Sequence, residues 1–197
     1  MEPINWTGCI VPISLCPQII DTSLVSLVKI LSILAIFKIP GEKQVSDLGL
    51  TIALDDINDP GNLGTIIRTC AWFNIKTLIL TENSADIFNP KCLRSGMGGH
   101  FYLNNCRYLS NNEIVKFLKS NNYFVYCAAS DGVPFVKDKS LEKWALILGS
   151  EAHGINKELN IGKVVSIAGN GEIESLNVSV AGGILLHALT SLKIVTN

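Results

Sequence analysis

Three stretches of the sequence combine glycine with polar side chains that can do chemistry: "DPGNLGTIIRT" (59–69), "LGSEAHG" (148–154) and "AGNGEIESLNVS" (168–179). Each can be tested against known chemistries. A dinucleotide site needs G-x-G-x-x-G at the turn into a helix, so that backbone can approach a pyrophosphate. The run Gly61-Asn62-Leu63-Gly64 lacks the third glycine, and no Walker lysine follows any of these loops. A serine hydrolase needs a nucleophile elbow of the form G-x-S-x-G. Here Ser150 is followed two residues later by Ala152, and adjacency to His153 in sequence does not make a triad. Asn177-Val178-Ser179 and Asn5-Trp6-Thr7 fit the glycosylation pattern, but nothing else points to secretion. The six cysteines show no C-x-x-C pair and no zinc-like spacing with His100, His153 or His187, so they read as reduced thiols and no metal is expected.

All three stretches follow short β-rich runs. Strands are expected at 50–57, 77–80, 123–130, 144–149 and 163–169. Helices are expected after Asp59-Pro60, at 89–99, at 114–121 and from about Leu176 to Leu192. Asp59 before Pro60 is a good helix start, and Leu63, Ile66, Ile67 and Cys70 share one helical face. Alternation of strands and helices predicts an α/β fold, a parallel sheet flanked by helices. In such sheets ligands lie beyond the carboxyl ends of the strands, so the three loops are placed to converge on one site. The last helix is apolar on nearly every side and is expected to be buried. Bottom-up, Arg68 is either a functional cation or a solvated helix arginine. Ser175 and Asn177 are either site residues or caps of the last helix.

At 197 residues the chain suits one domain plus a small appendage. The natural division is 1–47, a short N-terminal extension, and 48–197, the main domain. The stretch "LVSLVKILSILAIF" (24–37) is too short for a spanning helix and is interrupted by Lys29 and two serines. With no basic leader ahead of it, no membrane association and a cytoplasmic location are expected. The composition is 48% hydrophobic with a net charge of −1, so any basic, nucleic-acid-binding patch is local, and some apolar surface is expected to meet a partner subunit.

From about Leu54 to Leu189 the chain resembles the SpoU-type (TrmH-like) RNA ribose 2′-O-methyltransferases of the SPOUT superfamily. "NDPGNLGTIIRT" (58–69), "LILGSEAHGI" (146–155) and "IESLNVSVAGGILL" (173–186) look like its three motifs, in order. "NPKCLRSGMGGHF" (89–101) looks like a family segment between the first and second. The resemblance implies a deep trefoil knot near the C-terminus, a homodimer, S-adenosylmethionine as cofactor, and methyl transfer to a ribose 2′-hydroxyl of rRNA or tRNA. It implies Arg68, Asn62, Glu151, Ser175 and Asn177 as catalytic residues, with Glu151 a candidate to hold Arg68. Gly149, Ile167 and Leu176 match cofactor positions, and Leu148 and Ala168 neighbour them. Lys91 and Arg94 are candidate RNA contacts. Two departures stand out. Ala168-Gly169 replaces the usual Pro-Met, which predicts a less rigid loop. Residues 1–47 look like a shortened remnant of the RNA-binding domain that many of these enzymes carry. The alternative is a catalytically weak RNA-binding or S-adenosylmethionine-binding module that acts with a partner.

Overall fold

The computed structural model describes residues 8–12, 33–37, 49–136, 143–173 and 175–190. The chain divides into two compact units, Met1–Gly41 and Glu42–Asn197, the division falling inside the polar stretch at 40–47. In the first unit, β1 (Gly8–Pro12) pairs antiparallel with β2 (Ile33–Phe37). The rest of the N-terminal extension, including most of the apolar run at 24–37, lies outside the described residues.

The second unit is built on six strands. They are β3 (Thr51–Asp55), β4 (Thr77–Thr81), β5 (Asn105–Leu109), β6 (Phe124–Pro134), β7 (Trp144–Gly149) and β8 (Lys163–Ser166). Their order across the sheet is β5-β4-β3-β7-β6-β8, and every pairing is parallel. β3, β4 and nearly all of β7 are buried along their whole length, as expected of central strands covered on both faces. Alternate residues split between two cores. Ile52, Leu54, Leu78, Leu80, Leu146 and Leu148 face one side, and Ala53, Ile79, Ala145 and Ile147 face the other.

Among the described residues four helices flank the sheet: α1 (Pro60–Trp72), α2 (Pro90–Gly96), α3 (Asn111–Ser120) and α4 (Val178–Thr190). α1 and α4 cover the first face through Leu63, Ile66, Ile67, Cys70, Leu185, Leu186 and Leu189. α3 covers the second through Ile114 and Leu118. α1 starts as the sequence predicts: Asp59 Oδ1 accepts the Asn62 N–H at 2.9 Å, and Pro60 opens the first turn. α2 lies so close along α1 that a Cβ on Gly64 would stand 2.3 Å from the Cys92 carbonyl oxygen. A 3₁₀ turn (Gly99–Tyr102) continues along α1, with Gly99 against the backbone of Arg68. Among the described residues no helix is long and apolar enough to cross a membrane, and no cluster of His, Cys, Asp or Glu has the makings of a metal site.

Several expectations are corrected. β5 is a strand the sequence pattern does not announce. It is an edge strand whose polar Asn105 and Arg107 break the apolar run. α3 begins three residues earlier than the periodicity suggests, because the Glu113 carboxylate accepts from both Ser110 N and Ser110 Oγ, at 3.0 and 2.7 Å. β8 ends at Ser166 rather than 169. β6 runs on to Pro134 through a register shift, with Ala128 and Val133 both opposite Val165. α4 is not buried all round: Val180 is 49% and Ile184 43% exposed, on the face opposite Leu185 and Leu189.

Candidate active site

The strand order turns back on itself between β3 and β7, so the sheet has its topological switch point there, where ligands of open α/β sheets bind. Each flanking strand delivers a functional loop at that end. β3 leads through Asp55-Asp56 into the first turn of α1, which carries Asn62. β7 leads into the tight turn 150–154, which carries Glu151. The first turn of α4 arrives at the same place with Asn177.

These three polar side chains form one hydrogen-bonded cluster. Asn177 Nδ2 donates to Glu151 Oε1 at 2.6 Å and to Asn62 Oδ1 at 3.0 Å, and Asn62 Nδ2 donates to the same Glu151 oxygen at 3.3 Å. Glu151 Oε1 also accepts the Val178 N–H at 3.2 Å. The carboxylate therefore sits at the positive end of α4, where a negative charge is favoured. Asn177 serves the helix as well. Its Oδ1 accepts from Ser179 N at 3.0 Å and Ser179 Oγ at 2.6 Å, so one side chain caps α4 and ties its start to two other loops. The amide is oriented by these bonds: oxygen to the helix and to no other loop, nitrogen to the cluster.

Around this cluster the other sequence-expected residues take different positions. Arg68 lies on the exposed face of α1 six residues beyond Asn62. Among the described residues it has no hydrogen-bond or ion-pair partner, and Glu151 holds Asn62 and Asn177 rather than Arg68. Ser175 is exposed and does not cap α4; Asn177 does. Leu148 is buried in the core, where a Cβ on Gly182 of α4 would come within 2.9 Å of it, so it offers a ligand only its main chain. Gly149 is the point of closest approach: a Cβ there would stand 2.2 Å from Gly154 backbone, and Gly154 itself has a φ of +67° that favours glycine. Ile167 is half-buried, Ala168 exposed, and Leu176 47% exposed. Among the described residues the main chain of 168–173 makes no hydrogen bond, so this loop offers free donors and acceptors beside apolar side chains. Lys91 is ion-paired to Asp59 at 2.6 Å, while Arg94 is exposed and without a partner among the described residues.

The hydrolase alternative loses its geometry. The Ser150 hydroxyl accepts the His153 main-chain N–H at 3.2 Å and closes the turn, with no bond to the imidazole among the described residues. Two acids prove more important to the site than their sequence positions suggest. Asp55, the last residue of β3, is buried and accepts the Asn156 N–H at 2.6 Å, anchoring the far end of the Glu151 loop to the central sheet. Burial pushes its carboxyl up from the usual range, against the opposing effect of that hydrogen bond. Its signal was an acid closing an otherwise apolar strand. Asp59 was legible only as a cap; its carboxyl is held below the usual range by Lys91 first and the Asn62 N–H second.

The chain is similar in sequence and in fold to known proteins. The 23S rRNA (guanosine(2553)-2′-O)-methyltransferase RlmP of Bacillus subtilis is 35% identical over 153 residues, which is 75% of this chain and 60% of RlmP. An uncharacterized tRNA/rRNA methyltransferase of Borreliella burgdorferi is likewise 35% identical, over 70% of this chain and 62% of its own length. The chain thus spans less than two thirds of these relatives. Among solved structures, a TrmH-family protein from Porphyromonas gingivalis aligns with a TM-score of 0.75 at 32% identity, over 89% of this chain and 73% of its own. The SpoU methyltransferase AviRb from Streptomyces viridochromogenes, in complex with AdoMet, shares the fold with a TM-score of 0.78 at 20% identity, over 98% of this chain and 86% of its own. The SpoU rRNA Methylase family profile matches residues 49–187, and the chain belongs to that family.

Proposed function

We propose that the chain is an S-adenosylmethionine-dependent RNA methyltransferase that transfers a methyl group to a ribose 2′-hydroxyl of rRNA or tRNA. The observation that carries this reading is the Asn62–Glu151–Asn177 cluster at the switch point of the sheet, with Arg68, unpartnered among the described residues, on the same helix as Asn62. Bound, S-adenosylmethionine supplies a methyl group already made electrophilic by its sulfonium. The chain has to align the acceptor oxygen and stabilise the charge it develops as it loses its proton.

Arg68 suits the second task. A guanidinium stays protonated in a protein, so it acts as a fixed cation facing a developing alkoxide or a nearby phosphate rather than as a base. Gly149, Ile167, Ala168 and Leu176 would hold the nucleoside part, with Leu148 contributing main chain. The free main-chain groups of 168–173 fit its polar edges, and the apolar Ile167 and Leu176 fit its ring faces. Ser175 stands in the same loop, its hydroxyl without a partner among the described residues and open to the ribose or the cofactor's polar tail. Arg94 is a candidate contact to RNA phosphate.

The finer features of the family belong to the same proposal. A trefoil knot in the C-terminal third is proposed on the likeness of the fold to solved SpoU and TrmH-family structures. A homodimer is supported by the outward apolar side chains Trp72, Val180 and Ile184 on α1 and α4. The first unit is proposed as the remnant of an RNA-binding domain, and the cytoplasm as the compartment where such an RNA is met.

Arg68→Ala tests the central claim. It is expected to keep S-adenosylmethionine affinity, measured by calorimetry, and to lose methyl transfer to total RNA from cells lacking the gene. Normal turnover in that variant refutes the role of Arg68. Cofactor binding by the native chain without transfer to any RNA would instead make it a binding module.

A further inference from the structure

Lys91 is the second residue of α2, two after the cap Asn89, whose Oδ1 accepts the Lys91 N–H at 2.9 Å. Its side chain does not extend outward from there. It crosses the first turn of α1 and donates to Asp59 Oδ2 at 2.6 Å. The other oxygen of the same carboxylate, Oδ1, accepts the Asn62 N–H at 2.9 Å. Asn62 then presents its amide to both partners in the cluster, accepting from Asn177 at 3.0 Å and donating to Glu151 at 3.3 Å. The crossing needs a glycine beneath it, since a Cβ on Gly61 would stand 2.7 Å from Asp59 Oδ1 and 3.0 Å from Lys91 Cε. An ammonium over the positive end of a helix is unfavourable unless an anion lies between them, and Asp59 is that anion. The lysine therefore fixes which way the carboxylate faces, and the carboxylate fixes the residue that enters the site.

We propose that Lys91 is a positioning residue for the active site: through Asp59 it sets the first turn of α1 and hence the Asn62 amide within the Asn62–Glu151–Asn177 cluster. It couples the α2 segment to the site and is not a contact to RNA phosphate. The pair is 56% and 47% exposed, so its loss leaves global stability nearly unchanged and shows in site geometry instead. The inference rests on the methyltransferase reading for its kinetic arm and on the hydrogen-bond geometry alone for its spectroscopic arm.

Lys91→Met, Lys91→Arg, Asp59→Asn and the Asp59→Asn/Lys91→Met double variant separate the possibilities. Asparagine caps a helix as well as aspartate does, so Asp59→Asn removes the charge and leaves the cap. Methyl transfer is measured on total RNA from cells lacking the gene, at several salt concentrations. Positioning predicts a kcat roughly tenfold lower in Lys91→Met and in Asp59→Asn, with KM for RNA unchanged. It also predicts recovery in Lys91→Arg and a double variant no worse than either single one. A phosphate contact predicts the opposite: KM rises in Lys91→Met and its salt dependence flattens, while Asp59→Asn frees the ammonium and binds RNA at least as tightly. That pattern overturns the inference. Independently of activity, the side-chain amide resonances of Asn62 and Asn177 are expected to move in both Lys91→Met and Asp59→Asn. Unmoved amides in folded variants overturn it too. A native chain that methylates no RNA refutes the proposed function, and the amide resonances then decide this inference by themselves.

Discussion

Asn177→Asp separates two roles that Asn177→Ala removes together. The native amide caps α4 through Oδ1 and binds Glu151 and Asn62 through Nδ2. Alanine loses the cap, about 1 kcal/mol, and both inter-loop bonds, together about 1 kcal/mol because their ends remain open to water. Aspartate is isosteric and caps equally well, but it places a second carboxylate where a donor stood 2.6 Å from Glu151 Oε1. Even if the two groups separate to about 4 Å in water, the repulsion is about 1 kcal/mol, on top of the lost bonds. Both variants therefore cost about 2 kcal/mol, which for a chain of this size lowers Tm by about 4–8 °C. The pH dependence distinguishes them. The repelling pair raises the folded-state pKa of one carboxyl above its unfolded value, so the folded chain holds a proton the unfolded chain releases. The Asn177→Asp deficit is then full at pH 7 and shrinks as pH falls toward about 4, whereas the Asn177→Ala deficit lacks this term. Urea unfolding at pH 7 and 4.5 measures both. If Asn177→Asp matches the native chain at pH 7, Asn177 is a helix cap and nothing more, and the cluster does not hold the three loops together.

Gly64→Ala forces α2 away from α1, because the new Cβ would meet the Cys92 carbonyl at 2.3 Å and Gly96 N at 2.9 Å. A cost of about 1–3 kcal/mol is expected in calorimetry, and removing the nearby hydroxyl with Ser95→Gly should not rescue it, since the obstruction is backbone. His100 is buried with Nε2 2.9 Å from the Ile87 carbonyl and 3.7 Å from Cys92 Sγ, and burial holds its pKa below the ordinary value despite the carbonyl. Below about pH 6.5 the unfolded chain takes up a proton that the folded chain refuses, so stability falls as pH drops from there. His100→Gln should flatten that slope in unfolding measured between pH 7 and 5, and an unchanged slope would remove His100 as its source. Trp72→Glu with Ile184→Glu is expected to convert a dimer into a monomer in light scattering, and a native chain already monomeric would refute the dimer face.

Much of the central architecture was legible because its signals are local. Asp59-Pro60 announces α1, and the apolar runs of β3, β4 and β7 announce strands buried on both faces. Other features depend on neighbours the sequence does not display. β5 is polar because it is an edge, and its pairing to β4 is visible only in the assembled sheet. β8 stops early because Ala168 leaves the ladder that Ser166 still joins. At the site, the family resemblance pointed to Asn62, Glu151 and Asn177 but not to who holds whom. Glu151 was expected beside Arg68 and instead binds two asparagine amides. Lys91 was read as a candidate RNA contact, and its ammonium bonds an acid that is its neighbour only in space. Partner choice of this kind is set by side-chain direction on packed elements, which spacing alone does not encode.

The bond between Asn62 and Asn177 joins residues 115 positions apart, and that between Asn62 and Glu151 joins residues 89 apart. Contacts of such sequence separation close late, after the entropy of a long loop has been lost. Asn62 is synthesised and can sit in a formed helix long before either partner leaves the ribosome. The cluster therefore cannot exist in a nascent chain, nor in one that stops short of α4. Its formation marks the arrival of α4 on the sheet, so that a copy lacking that helix has no assembled cluster.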